Sequence, residues 1–280
     1  MHPAIQDSSF DSIKSYCIGL FRNHFPQENT ASLERSFDHV RNLFEGKAPG
    51  FQPIDIRFHD LDHTLRVTAA TTTLLDGFQQ FNSKGLKFTA QTFRLGILGA
   101  LLHDSGYLKR TGDTIGTCAK FTKNHVRYSC QFADRYLAEL DFPMAASLSI
   151  QNMIQCTGLG VDTRKIQFWS EEERIAGYCM GSGDYLGQMA DPHYPDKLSY
   201  LYQEFCESIA FDKSPSPSMV FESAADLIRK TPGFWRNYVI GFLKNQLGYV
   251  YIFASNPYPD GPNPFIDAIE VNIAKIEKMA

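Results

Sequence analysis

The stretch that most limits how this chain can fold is Leu101-Leu102-His103-Asp104-Ser105-Gly106-Tyr107, where an adjacent histidine and aspartate end the apolar run from Phe93 to Leu102. Such a run reads as a helix entering a core, and two polar side chains at its buried end need an explanation. Two readings compete for the doublet alone. In one it is a helix C-terminus, with Gly106 as the stop signal and His103 near the negative end of the helix dipole. In the other it is part of a metal site whose remaining ligands arrive from facing helices. Ligand-type residues elsewhere in the chain weigh one against the other.

A core large enough to bury such a site is available, since 43% of the 280 residues are hydrophobic. The formal net charge of -4 rules out bulk attraction to nucleic acid or to an anionic membrane. Any phosphate contact must come from a local basic cluster, and Lys109, Arg110, Lys120, Lys123 and Arg127 form one around the loop that follows the doublet. Six cysteines are scattered without a CxxC pair, which fits free thiols in a reducing compartment rather than a disulfide framework. The first residues show neither a basic nor an apolar leader pattern, and no stretch reaches the roughly 18 apolar residues of a membrane span. A soluble, cytoplasmic protein is expected.

Helical spacing of apolar residues predicts an all-α fold class. Helices are expected over Phe10–Phe25, Ser32–Phe44, Asp60–Phe81, Ala90–His103, Asn124–Leu140, Pro143–Gly158, Ser170–Met189, Leu198–Phe211, Val220–Ile228, Trp235–Leu247 and Ile266–Lys278. Asp60 is the expected N-cap of the third, and Ser170-Glu171-Glu172-Glu173 reads as a capping box. Only Tyr249–Phe253 reads as a strand, and it has no evident partner. Lys213-Ser214-Pro215-Ser216-Pro217-Ser218 is the one composition break in the second half, too short for a domain linker. A single domain over 1–280 is expected, with a central core at about 55–212 and accessory helices at 1–50 and 213–280.

Histidines and carboxylates at helix ends or among apolar neighbours are His59, His63, His103, Asp104, His125 and Asp184, drawn from four or five helices. Mixed imidazole and carboxylate ligation suits Fe, Mn, Zn, Co or Ni and, with mostly oxygen donors, Mg. Asp191 is a rival for the last position, although Asp191-Pro192 reads as a helix start.

The order and context of these residues resemble the HD-domain superfamily of metal-dependent phosphohydrolases. Ala100-Leu101-Leu102-His103-Asp104-Ser105-Gly106-Tyr107 is similar to its "LLHDIG" segment and Gly181-Ser182-Gly183-Asp184-Tyr185-Leu186 to its "ADxLG" end motif. The resemblance implies His63, His103, Asp104 and Asp184 as ligands of a divalent cation. Phe58-His59-Asp60-Leu61-Asp62-His63 resembles the "YHNxxH" segment of cyclic-nucleotide phosphodiesterases, with Phe58 and Asp60 in place of Tyr and Asn; it implies His59 as the proton donor to the leaving group and Asp104 as a second catalytic residue that orients water. His59-Asp60 is then a doublet by letter only, lacking an apolar helix before it. His125 matches a histidine that in some members serves a second metal or a phosphate, and Gln155-Cys156-Thr157 stands where a further ligand is expected. One metal site with a second allowed follows.

Arg66, Lys109 and Lys123 are the candidate substrate contacts. The implied function is hydrolysis of a small phosphate ester, a nucleotide monoester or diester, by metal-activated water. Two competitors remain: a di-iron oxygenase of the same superfamily, and a non-catalytic metal- or nucleotide-binding regulatory domain. The expected partner is a small phosphorylated molecule, and the accessory helices would cap the pocket or form a homodimer interface.

Overall fold

The computed structural model describes residues 5, 9–81, 85–211 and 221–279. The apolar periodicities appear as helices α1 (Phe10–His24), α2 (Ala31–Phe44), α3 (Leu61–Phe81), α4 (Ala90–Leu102), α5 (His125–Glu139), α6 (Met144–Gln155), α7 (Glu171–Met189), α8 (Tyr194–Phe211), α9 (Ala224–Phe234), α10 (Ile240–Asn245) and α11 (Pro264–Met279). Among the described residues no β-strand occurs, and the one β contact is an isolated bridge between Phe51 and Arg110. The fold is all-α.

Helix α3 runs through the middle and is buried from His63 to Leu75 without a break, the pattern of a helix covered on all sides. Three of its threonines enter this interior with their hydroxyls turned back onto the helix. Thr68 donates to Thr64 O at 2.8 Å, Thr72 to Thr68 O at 2.7 Å and Thr73 to Ala69 O at 2.8 Å, leaving mainly methyl surface to pack.

Helix α7 lies against α3 more closely than ordinary side chains permit. A Cβ built on Gly183 would sit 2.8 Å from the Thr71 nitrogen, and one on Gly187 2.7 Å from that of Val67. These two glycines, one helical turn apart, let the backbones approach. One apolar cluster extends from Ile5 to Ile276 and includes Phe21, Phe37, Leu74, Ile97, Leu101, Trp235 and Phe265.

Several local expectations change. Tyr249–Phe253 is no strand: Tyr249 takes a left-handed φ of 63° and Val250–Ala254 form a 3-10 turn, since no sheet edge is present among the described residues to receive an extended segment. The helix expected over Trp235–Leu247 is divided, because Trp235–Val239 widen into a π turn just after Pro232, which has no N–H to give the ladder. Ser170 caps α7 by accepting from Glu173 N at 3.1 Å, but the Glu173 carboxylate accepts from Ser149 and Asn152 rather than returning to Ser170. The Lys213–Ser218 break and Val220 lie outside the described residues. No helix is long and apolar enough to cross a membrane, within the described residues.

Candidate metal centre

Four elements converge below the middle of α3. His63 is the third residue of α3, placed there because Asp60 caps the helix, its Oδ1 accepting from His63 N at 2.9 Å. His103 and Asp104 follow the last residue of α4. Asp184 comes from α7, directly after the close-packed Gly183. His125 opens α5.

The turn after Asp104 is where the stop-signal reading of Gly106 gives way. Gly106 has no left-handed φ. Instead, a Cβ on it would collide with the carbonyl oxygen of His125 and lie 2.8 Å from Ser129 N, and its own N–H donates to Ser129 Oγ at 2.8 Å. Glycine is needed there because the start of α5 presses on the turn, which brings His125 to the cluster.

The ligand-type atoms meet at one point. His63 Nε2 lies 3.2 Å from Asp104 Oδ2 and 3.6 Å from Asp184 Oδ1; His103 Nε2 lies 3.3 Å and 3.7 Å from the same two oxygens. His63, His103 and Asp104 are 4%, 1% and 2% exposed. None of His63 Nε2, His103 Nε2 and Asp104 Oδ2 has an aligned hydrogen bond. Orphaned atoms at this depth are costly, by several kcal/mol for charged groups.

The spacing suits a shared cation. Ligand bonds of about 2.1 Å give neighbouring ligands about 3.4 Å apart in a tetrahedron and about 3.0 Å at right angles in an octahedron. The donor set also fits, because His103 Nδ1 donates to the Ala100 carbonyl at 2.8 Å, leaving Nε2 as the atom turned to the cluster. His63, His103 and Asp184 form the one such group of histidine, cysteine and acidic side chains found among the described residues, with Asp104 Oδ2 at its edge.

The electrostatics are mutual. Burial disfavours the charged form of His103, yet Asp104 and Asp184 raise its pKa to about 9. Burial likewise opposes ionisation of Asp104, but His103 and His63 hold its carboxyl well below the usual carboxylate range. A cation entering the cluster therefore competes with a proton on His103.

His59 sits beside the cluster, its ring 5.4 Å from that of His63. Its partner is Glu204 on α8, a residue that no sequence motif singled out. Glu204 is 4% exposed; its Oε1 accepts from Phe58 N at 2.8 Å and from Arg57 N at 3.2 Å, and its Oε2 lies 2.6 Å from His59 Nδ1. Burial works against protonating His59, but Glu204, with Asp104 and Asp184 behind it, raises the pKa above the ordinary value. The only available signal was a lone carboxylate within the apolar stripe Leu198, Leu201, Phe205 of α8.

Tyr107, also unforeseen, is fully buried and stacks with its ring centroid 4.7 Å from both His59 and His125. Its hydroxyl has no aligned partner. His125 donates through Nδ1 to Thr122 O at 2.6 Å and turns Nε2 toward Asp104 Oδ1, 3.7 Å away.

The candidate substrate contacts fare differently. Arg66 is buried and engaged, with Nε 2.9 Å from Asp62 Oδ2 and a bond to Ile5 O, so it braces the start of α3 instead of presenting a charge to substrate. Lys109 is 5% exposed and committed to Asp55 at 3.2 Å and to Gly116 O at 2.7 Å, which removes it as a free phosphate ligand. Lys120 is held in the same way by Asp113. Lys123 is exposed and borders a separate groove between α5 and α6. Asp191, the rival ligand, instead pairs with Lys197 at 2.8 Å.

Fold and site together define an all-α protein with a buried cluster of two histidines and two carboxylates, flanked by two further imidazoles. The chain belongs to the Npun_R2479-like family, whose model matches residues 111–257, just over half its length. No curated protein and no solved structure matches it. The matched stretch contains His125, Asp184 and Glu204, while His59, His63, His103 and Asp104 precede it.

Proposed function

We propose that His63, His103, Asp104 and Asp184 hold a divalent cation and that the protein hydrolyses a small phosphate ester there. The observation that carries this reading is the convergence of His63 Nε2, His103 Nε2 and Asp104 Oδ2, buried and without hydrogen bonds, 3.2–3.3 Å apart across the two His–Asp edges. A cation bound among them supplies Lewis acidity and a hydroxide nucleophile near neutral pH. The resemblance to HD-type phosphohydrolases supplies the reaction class.

The chain's own groups divide the remaining work. Asp104 would help hold the cation, and its Oδ1, 3.7 Å from His125 Nε2, could orient the nucleophile. His59 carries the proton that an alkoxide leaving group needs. Glu204 fixes that imidazole through Nδ1, so the proton to be donated is the one on Nε2. Tyr107 packs beside both imidazoles and limits their rotation.

The test is phosphate release from nucleotide monoesters and cyclic diesters by protein loaded in turn with Mn, Fe, Mg, Ni, Co and Zn. His59→Ala is expected to retain the metal and lose about 10²–10⁴-fold in turnover. Full metal occupancy with no release from any ester would remove the hydrolase reading and favour the regulatory-domain one.

A further inference from the structure

Of the basic cluster around the 109–127 loop, Lys109 and Lys120 are committed to internal ion pairs. Arg110 is not. A cleft of about 200 Å³ is lined by Ser105 and Gly106 and by none of the imidazoles of the cluster. Arg110 enters it from the segment that bridges to Phe51, and Arg135 from the exposed face of α5. Neither guanidinium has a salt bridge among the described residues, and no acidic side chain lines the cleft.

Four aromatic rings, Phe51, Phe121, Tyr128 and Phe132, line it as well, together with Leu108, Gln131 and the Ser105–Gly106 turn. The Arg110 guanidinium lies over the Phe51 ring at 4.2 Å, which fixes its plane and leaves its N–H edge for an acceptor. Two uncompensated guanidiniums in a protein of net charge -4 are a local exception that favours an anion. Apolar ring faces next to them favour a flat group on the same molecule. The volume falls below the roughly 300–1,000 Å³ of pockets for larger ligands, so one ring and one anionic group is what fits.

We infer that this cleft is a second binding site, distinct from the metal cluster, for a small aryl phosphate or a similar monocyclic anion. Its floor is Ser105 and Gly106, the residues directly after Asp104, so an occupant rests on the turn that aims that carboxylate.

The test is calorimetric titration of the full chain with phenyl phosphate in EDTA, which silences the metal cluster. Saturable binding is expected, weakened about tenfold or more by Arg110→Gln and by Arg135→Gln, and kept by His103→Ala. Inorganic phosphate alone is expected to bind at least about tenfold more weakly, because it lacks the ring. Melting curves of both arginine variants matching the parent show that a lost affinity is not lost fold. Absence of saturable binding, or binding that survives the double arginine variant, overturns the site. Binding lost in His103→Ala moves the ligand to the metal cluster and overturns it too, and equal affinity for inorganic phosphate overturns the aryl assignment.

Discussion

The distance between α3 and α7 sets one side of the cluster, and Gly183→Ala changes it directly. The added methyl would lie 2.8 Å from Thr71 N and 2.9 Å from Thr71 Cα, both backbone atoms that cannot rotate away. Moving the nearer contact to the 3.4 Å of ordinary packing opens the crossing by about 0.6 Å. Overpacking of this kind costs about 1–3 kcal/mol, or roughly 2–5 °C of melting temperature in a chain of this size. Asp184 is the next residue. The same opening stretches its edges of 3.6 and 3.7 Å to His63 and His103 beyond 4 Å, wider than a shared cation accepts, and affinity should fall about tenfold or more. Differential scanning calorimetry reads the first effect and competition with a fluorescent chelator the second. A melting temperature within about 1 °C of the parent with unchanged metal affinity would refute the claim that the glycine contact sets the spacing.

Glu204→Gln should leave metal content unchanged and lower turnover about 10–100-fold, measured by phosphate release, because His59 loses its fixed partner. Chelation should lower the melting temperature, since a cation present at a hundred times its Kd stabilises the fold by about 2.7 kcal/mol; calorimetry with and without EDTA checks it. His39 stacks on Tyr136 at 4.5 Å, and burial lowers its pKa from 6.5, with Glu139 pulling weakly the other way. The unfolded chain then takes up a proton that the fold resists, so stability should fall as pH drops through about 6.5. Urea midpoints of His39→Gln should show a flatter profile between about pH 7 and pH 5 than the parent.

What the sequence made legible was local. The period of the apolar residues located most helices, and helix ends carried His63, His103 and Asp104 while Asp184 lay among the small residues inside α7; the fold brings the four together. What stayed hidden depends on contacts between distant segments. Glu204 acts on a residue 145 positions earlier, across a packing of α8 on the loop before α3, and one carboxylate in an apolar stripe does not announce such a partner. Lys109 and Lys120 read as a basic surface because their acceptors, Asp55, Asp113 and a carbonyl, become visible only once the 109–120 loop closes on them. Gly106 read as a helix stop, while its role is to admit the start of α5. The Tyr249–Phe253 run illustrates the reverse error, in which strand composition without a neighbouring strand folds into a 3-10 turn.

Cation binding by His63, His103, Asp104 and Asp184 underlies the proposed hydrolysis. Elemental analysis of the protein purified without added metal, beside Asp104→Ala treated identically and checked for helix content by circular dichroism, tests it most directly. About one equivalent or more of a divalent metal in the parent and almost none in the folded variant is the predicted result. Equal metal in both, or none in the parent even after incubation with the six candidate ions, contradicts it.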